Sequence, residues 1–424
     1  MAFFLLIMLS AATALCPSAA RADGRFLQSE FLPIGARYLG MGGGHAALPD
    51  GASSAYYNPA LLPWSDRLEF AIEGSFVHGP EFETEGGRNR LTFHDRGNFS
   101  MVGLRLPDAG GFSFAILELT VYDHDIRGHL FGTPPEDAEK PVETGKGGAG
   151  PAAFGESEQL IRSYHDRVSV NSFGLATGYK TSENTSFGLA FWADRKKVFK
   201  SVDYLTACTD ISDDQIGRGW FDAEATTNDV SLHFTAGLYH RFSDKADGGL
   251  SISTGMDLTS VHQIDEWKTC TPAERRPIVD DMTPFVAQVG AAYYFSRTLR
   301  FAGDIAYQNW GNIETYRSTA QLSLGAEWEQ SERVIFRGGF FTLFDPSDLP
   351  DDAHAEALRD IERSGNILGA DEFFFTAGAG YWLTPYLLVE GALADSELLS
   401  PEAGRTSVLF AFRFLTTPAR EENR

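Results

Sequence analysis

The sequence predicts an all-β fold, a transmembrane antiparallel β-barrel of about 14 strands, and three observations carry that prediction. The chain is rich in Phe (33) and Gly (43), yet beyond its first residues no apolar run reaches the about 20 residues that a transmembrane helix needs. Segments of roughly ten residues alternate apolar and polar side chains, the pattern of a strand with one face in lipid and one in water. The connections between these segments alternate short and long. In hydrocarbon only helices and closed barrels satisfy every backbone group, and a soluble sandwich gives no reason for alternating loop lengths.

At the N-terminus, Phe3 to Leu9 is apolar and leads through small residues to Ala20-Arg21-Ala22, which reads as a secretory signal over residues 1–22. Cys16 leaves with it, since Leu15 before it is too bulky for a lipidation site. The two cysteines that remain, Cys208 and Cys270, are a candidate disulfide in an oxidising compartment.

The strands follow from residue 67 onward. The clearest is Thr319 to Trp328, where Ala320, Leu322, Leu324, Ala326 and Trp328 alternate with Thr319, Gln321, Ser323, Gly325 and Glu327. Val230 to Phe242 and Ser407 to Phe414 alternate in the same way. On this basis strands begin near residues 68, 98, 111, 167, 184, 226, 249, 283, 298, 318, 332, 372, 385 and 405. Short connections at Pro107 to Gly110, Thr181 to Glu183, Ser243 to Gly248, Ser296-Arg297, Glu329 to Ser331 and Thr384-Pro385 are expected on the periplasmic side. Long ones at His78 to Gly97, Asp123 to Asp166, Ser201 to Ala225, Thr269 to Met282 and Asp345 to Asp371 are expected outside, and Cys208 and Cys270 fall in two of them. Within the last, Asp351 to Arg363 reads as a short helix.

Composition and motifs exclude other functions. A formal net charge of -23 excludes nucleic-acid binding, which needs a basic stripe. No G-x-S-x-G elbow or H-E-x-x-H is present, so no enzymatic activity, metal or cofactor is expected. Asp257, Arg300, Asp304, Glu327, Arg337, Glu390 and Arg413 fall on inward faces, where a wet interior tolerates charge, and are expected to form a structural network.

The segment before the first strand reads Gly35-Ala36-Arg37-Tyr38-Leu39-Gly40-Met41-Gly42-Gly43-Gly44, then Asp50-Gly51-Ala52-Ser53-Ser54-Ala55-Tyr56-Tyr57-Asn58-Pro59-Ala60. The strand-helix setting that would make Gly40-x-Gly42 a nucleotide loop is absent. The stretch resembles the N-terminal hatch of FadL-type outer-membrane transporters of hydrophobic compounds. The resemblance implies a hatch over residues 23–66 inside a barrel over 67–416, with a periplasmic tail at 417–424. Its motif residues are Gly40, Gly42, Gly43 and the knuckle Asn58-Pro59-Ala60, where Asn58 bonds its own backbone and Pro59 fixes φ.

The implied function is passive uptake of a long-chain fatty acid or aromatic hydrocarbon across the cell outer membrane. The knuckle then lies near an inward kink of the third strand that opens toward lipid, with Gly110 and Gly111 as the gate. The implied partners are the hydrophobic ligand, outer-membrane lipid and lipopolysaccharide, around a monomer. PorV-like barrels, which act in protein secretion and surface attachment, share the hatch pattern and are the alternative.

Overall fold

Alternating strands with an apolar outer face close on themselves here without a free edge. In the computed structural model, the described residues are 34–416 except 66, 79–80, 84–89, 94–95, 131–158, 210–215, 256, 261–262, 266–277, 283, 311–316, 345, 347–371 and 397–404. The expected signal, Cys270, the Asp351–Arg363 helix and the tail lie outside them. The fourteen barrel strands are β1 (Glu69–His78), β2 (Arg96–Arg105), β3 (Phe112–Leu130), β4 (Gln159–Lys180), β5 (Thr185–Thr209), β6 (Ile216–Ser243), β7 (Ala246–Ser253), β8 (Phe285–Tyr294), β9 (Leu299–Asn309), β10 (Thr319–Glu329), β11 (Val334–Leu343), β12 (Glu372–Thr384), β13 (Leu387–Asp395) and β14 (Thr406–Leu415). Each pairs antiparallel with its chain neighbour, and β1 pairs with β14 from Glu69–Leu415 to His78–Thr406, which closes the barrel. Short strands at 81–83, 90–93 and 263–265 extend the wall on the long-loop side, and those at 257–260 and 278–282 pair with each other in a separate two-stranded sheet.

The distribution of apolar groups is that of a membrane solvent. Phe191, Leu232, Ile305, Leu324, Phe336 and Phe410 are exposed on the outer face, while Glu327, Arg337, Glu390 and Arg413 are buried inside. Exposed Phe70, Tyr179, Phe242, Tyr293, Trp328, Tyr381 and Phe414 lie toward the short-turn ends of their strands, as an interfacial aromatic girdle does. Among the described residues no helix is long and apolar enough to cross a membrane.

Two of the expected long loops are corrected. Residues 123–130 and 159–166 belong to β3 and β4, and Leu130 pairs with Ile161. Residues 201–209 and 216–225 belong to β5 and β6, so Cys208 lies in β5 opposite Gly217 and not in a loop. These extensions rise beyond the bilayer. There the outward positions face water and no longer need apolar residues, so the alternation that marks a membrane strand is lost.

Candidate functional site inside the barrel

The described part of the N-terminal segment packs within the barrel as four short turns of helix. They are α1 (Ala36–Gly40), a 3-10 turn (Gly51–Ser53), α2 (Ser54–Tyr57) and a second 3-10 turn (Pro59–Trp64). Gly42 and Gly43 have φ of 68° and 80°, and Gly43 N donates to Tyr38 O at 2.8 Å, which ends α1. Gly42 also lies against the wall: a Cβ there would sit 2.4 Å from Phe340 N and 2.5 Å from Leu324 O. Gly40 faces Gly378 of β12, where a Cβ would be 3.1 Å from the Gly378 Cα.

The knuckle forms the expected local bond and a wall contact as well. Asn58 Oδ1 accepts from Ala60 N at 3.1 Å, with Pro59 starting the 3-10 turn. Its Nδ2 donates to Ala46 O at 2.7 Å and to Leu238 O of β6 at 3.2 Å. Wall glycines make room: a Cβ on Gly237 would fall 1.9 Å from Asn58 Oδ1, one on Gly188 2.2 Å from Ala60 N, and one on Gly178 2.6 Å from Pro59 O. Ser186 Oγ donates to Ala60 O at 2.5 Å, and Arg241 lies 4.6 Å over the Trp64 ring. The knuckle is therefore seated on β4, β5 and β6, and not on the third strand as expected.

Opposite charges bind the other side of the segment to the wall. Arg37 reaches Glu327 at 2.8 Å, Glu327 reaches Arg337 at 2.6 Å, and Arg337 reaches Glu390 at 2.7 Å. Glu390 continues to Arg413 at 2.7 Å, Arg413 to Asp50 at 2.5 Å, and Asp50 back to Arg37 at 3.7 Å. Three guanidinium groups and three carboxylates thus alternate in a closed ring, so each buried charge has partners on both sides. Burial by itself would raise the Asp50 carboxyl, but Arg413 and Arg37 outweigh it and hold it below its ordinary value. Wall carboxylates also accept from segment amides: Glu73 from Gly35 at 3.1 Å, Glu69 from Ala52 at 3.1 Å, and Asp304 from His45 at 2.5 Å. Burial pushes the His45 imidazole down to about 3, so it is neutral where it stacks on Tyr57 at 3.7 Å.

These contacts place Arg300, Asp304, Glu327, Arg337, Glu390 and Arg413 inside, while the Asp257 side chain is outside the described set. Sequence reasoning gave no role to Arg37 and Asp50, although both stand in the quoted motif. The signal for them was their charge in a segment otherwise made of small and apolar residues.

Part of the remaining lumen is apolar, beside a buried polar group in which His233 pairs with Asp194. Met101, Leu117, Leu119, Val121, Val170, Ala190 and Trp192 of β2 to β5 cluster with Ile34, Ala52, Ala55 and Leu62 of the segment, against Tyr56. The wall beside this cluster is interrupted. β2 and β3 pair only from Met101–Leu119 to Arg105–Ala115, and among the described residues no ladder joins 96–100 to 120–125. Ser100 is an extra residue in the β1–β2 register, and Val121 one in the β3–β4 register. Thr120 Oγ1 bridges the break by donating to Phe99 O at 2.8 Å. Just below, Glu118 is exposed on the outer face, where a charge in lipid is costly.

Gly110 and Gly111 are not at this break. Their φ values of 67° and 88° form the two-residue turn between Ala109 and Phe112, where both central residues must be left-handed. Among the described residues no group of three or more His, Cys, Asp or Glu is placed to hold a metal.

No family model matches the chain, and no curated protein matches it in sequence. Solved structures do match. A Pseudomonas aeruginosa FadL homologue aligns with a TM-score of 0.60 at 14% identity, over 90% of this chain and 96% of that one. The Ralstonia pickettii toluene transporter TbuX aligns with a TM-score of 0.59 at 12% identity, over 92% and 99%. The CymD monoaromatic hydrocarbon channel aligns with a TM-score of 0.57 at 14% identity, over 90% and 97%. At these identities the likeness is one of fold, and the chain is an outer-membrane β-barrel with the fold of the FadL-type channels.

Proposed function

From that shared fold, we propose that the chain carries hydrophobic small molecules of the long-chain fatty acid or aromatic hydrocarbon class passively across the outer membrane. The observation that supports this most is the apolar cluster of Met101, Leu119, Val121 and Trp192 lying behind the break between β2 and β3. Transfer of apolar surface from water into such a site is favourable by about 25 cal/mol per Å², so capture needs no energy source. Residues 34–65 act as the hatch. The ring of charges and the glycine seats hold them against β4 to β14, and the apolar face toward β2 to β5 is the side left for a ligand to pass. The ligand leaves or enters laterally at residues 96–100 and 120–125, where only a side chain replaces the ladder.

The knuckle tests this reading. Asn58→Ala with Pro59→Ala removes bonds to Ala46, Ala60 and Leu238 but no strand pairing or lipid-facing group. Loss of buried hydrogen bonds costs about 1–3 kcal/mol each, enough to shift the hatch. Heat-modifiable gel mobility should stay as in the parent while uptake of a labelled fatty acid or toluene changes severalfold. Normal assembly with unchanged uptake of every apolar probe would move the assignment to a PorV-like role in secretion.

A further inference from the structure

Strand pairing and membrane fit leave the position of Glu118 unexplained. Its side chain is exposed on the outer face of β3, in the row Phe112, Phe114, Ile116, Glu118 and Thr120, between Val102 of β2 and Phe173 of β4. It stands six residues beyond Phe112, the start of β3. At about 3.3 Å per residue and a tilt near 40°, that is roughly 15 Å along the membrane normal, near the middle of the apolar band. The other charged side chains described at outward positions, Arg167, Arg195, Lys197 and Asp395, lie nearer the long-loop ends of their strands. Glu118 makes no hydrogen bond or ion pair among the described residues. An unpaired acid at this depth marks function more often than structure.

Its surroundings are those of the break. The β2–β3 ladder ends at Met101–Leu119, one residue above Glu118, so the carboxyl stands at the lower lip of the opening on the lipid side. Thr120, the next outward residue, bridges the opening to Phe99 O and lies 3.1 Å from the Asn171 amide oxygen. The following acidic positions in the row are Asp123, opposite Ser169, and Asp125, opposite Arg167.

Cations near the opening are distant or already engaged. Arg195, opposite Asn171 and two strands away from Glu118, has a partner. Lys197 and Arg167 stand at the levels of Ser169 and Arg167 on β4, four and six residues above Phe173. That is roughly 13 Å or more, beyond a Debye length of about 10 Å. Behind the break Met101, Leu117, Leu119, Val121 and Val170 are apolar, and Lys196, opposite Val170, is buried with a partner of its own. A ligand at the opening therefore meets an acid side chain in a chain whose net charge is already -23.

We propose that Glu118 is a specificity-determining residue of the lateral opening, favouring uncharged ligands over carboxylates of the same chain length. The inference rests on the proposed transport and narrows its substrate class to neutral hydrocarbons and alcohols. Two negative groups a few Å apart repel far more strongly in an apolar setting than in water, whereas a neutral ligand passes without that repulsion. Discrimination of this kind is built by placing the unfavourable contact against the wrong ligand.

The test measures uptake of labelled dodecanol and labelled dodecanoate at neutral pH by cells making the full chain, against cells carrying an empty vector. The parent should take up dodecanol at least tenfold faster than dodecanoate. Glu118→Gln and Glu118→Leu, with assembly checked by heat-modifiable mobility, should each raise the ratio of dodecanoate to dodecanol uptake at least tenfold. An unchanged or lower ratio in either assembled variant overturns the proposal. Equal uptake of the two probes by the parent also overturns it, whether or not the variants assemble, and leaves the proposed transport standing. Uptake of neither probe above the vector control removes the transport and this inference together.

Discussion

Glu327→Ala is expected to release the hatch while leaving the barrel closed. Glu327 is 2% exposed and holds Arg37 at 2.8 Å, Arg337 at 2.6 Å and Arg300 at 3.0 Å. Its removal opens the ring of alternating charges and leaves guanidinium groups in excess behind the wall. Removing one partner of a buried pair costs about 3–5 kcal/mol, because the other charge remains buried and uncompensated. Part of that cost falls on the hatch through Arg37 and part on Arg337 and Arg300 of the wall, while the lipid-facing rows and the ladder are untouched. Trypsin should then cut after Arg37, which lies only 13% exposed in the intact ring, and the cut should appear at least tenfold faster than in the parent. Unchanged cleavage at Arg37 would mean that the charges contribute little to holding the segment.

Gly325→Ala should displace the same segment by steric means. A Cβ at Gly325 would lie 2.0 Å from Met41 O and 2.5 Å from Met41 C, and neither backbone atom can rotate aside. Overpacking of this kind costs about 1–3 kcal/mol or more. Gly338→Ala on the neighbouring strand is the matched control, because its nearest neighbour, Thr376 O, is 3.8 Å away. The first variant should lower the temperature at which the compact gel form is lost and raise cleavage at Arg37. The second should do neither. Equal behaviour of the two would show that the seat of Met41 is loose.

The barrel was legible because lipid enforces the alternation on which its strands are recognised. Starts expected near 68, 111, 184 and 372 are found at Glu69, Phe112, Thr185 and Glu372. Where the strand leaves the bilayer the signal fails, so β6 begins at Ile216 and not near 226, and β4 at Gln159 and not near 167. The bond from Asn58 Oδ1 to Ala60 N was legible because it is local. The seat of the knuckle on Gly178, Gly188 and Gly237 was not, because it pairs residues more than a hundred positions apart and their glycines read in sequence only as weak strand positions. Gly110-Gly111 was misplaced for a related reason. A glycine pair marks a bend equally well as a gate or a turn, and only the Ala109–Phe112 bridge decides between them.

In the proposed route an apolar ligand crosses the wall between β2 and β3. The most direct test of that route is a disulfide across that break, Phe99→Cys with Thr120→Cys, in a chain whose Cys208 and Cys270 are replaced by Ser. The two positions are already bridged by Thr120 Oγ1 to Phe99 O at 2.8 Å. Uptake of a labelled apolar probe is measured on oxidised and on reduced cells. Oxidation should lower uptake at least tenfold, and reductant should restore it. Equal uptake with the disulfide formed and with it reduced would contradict lateral passage.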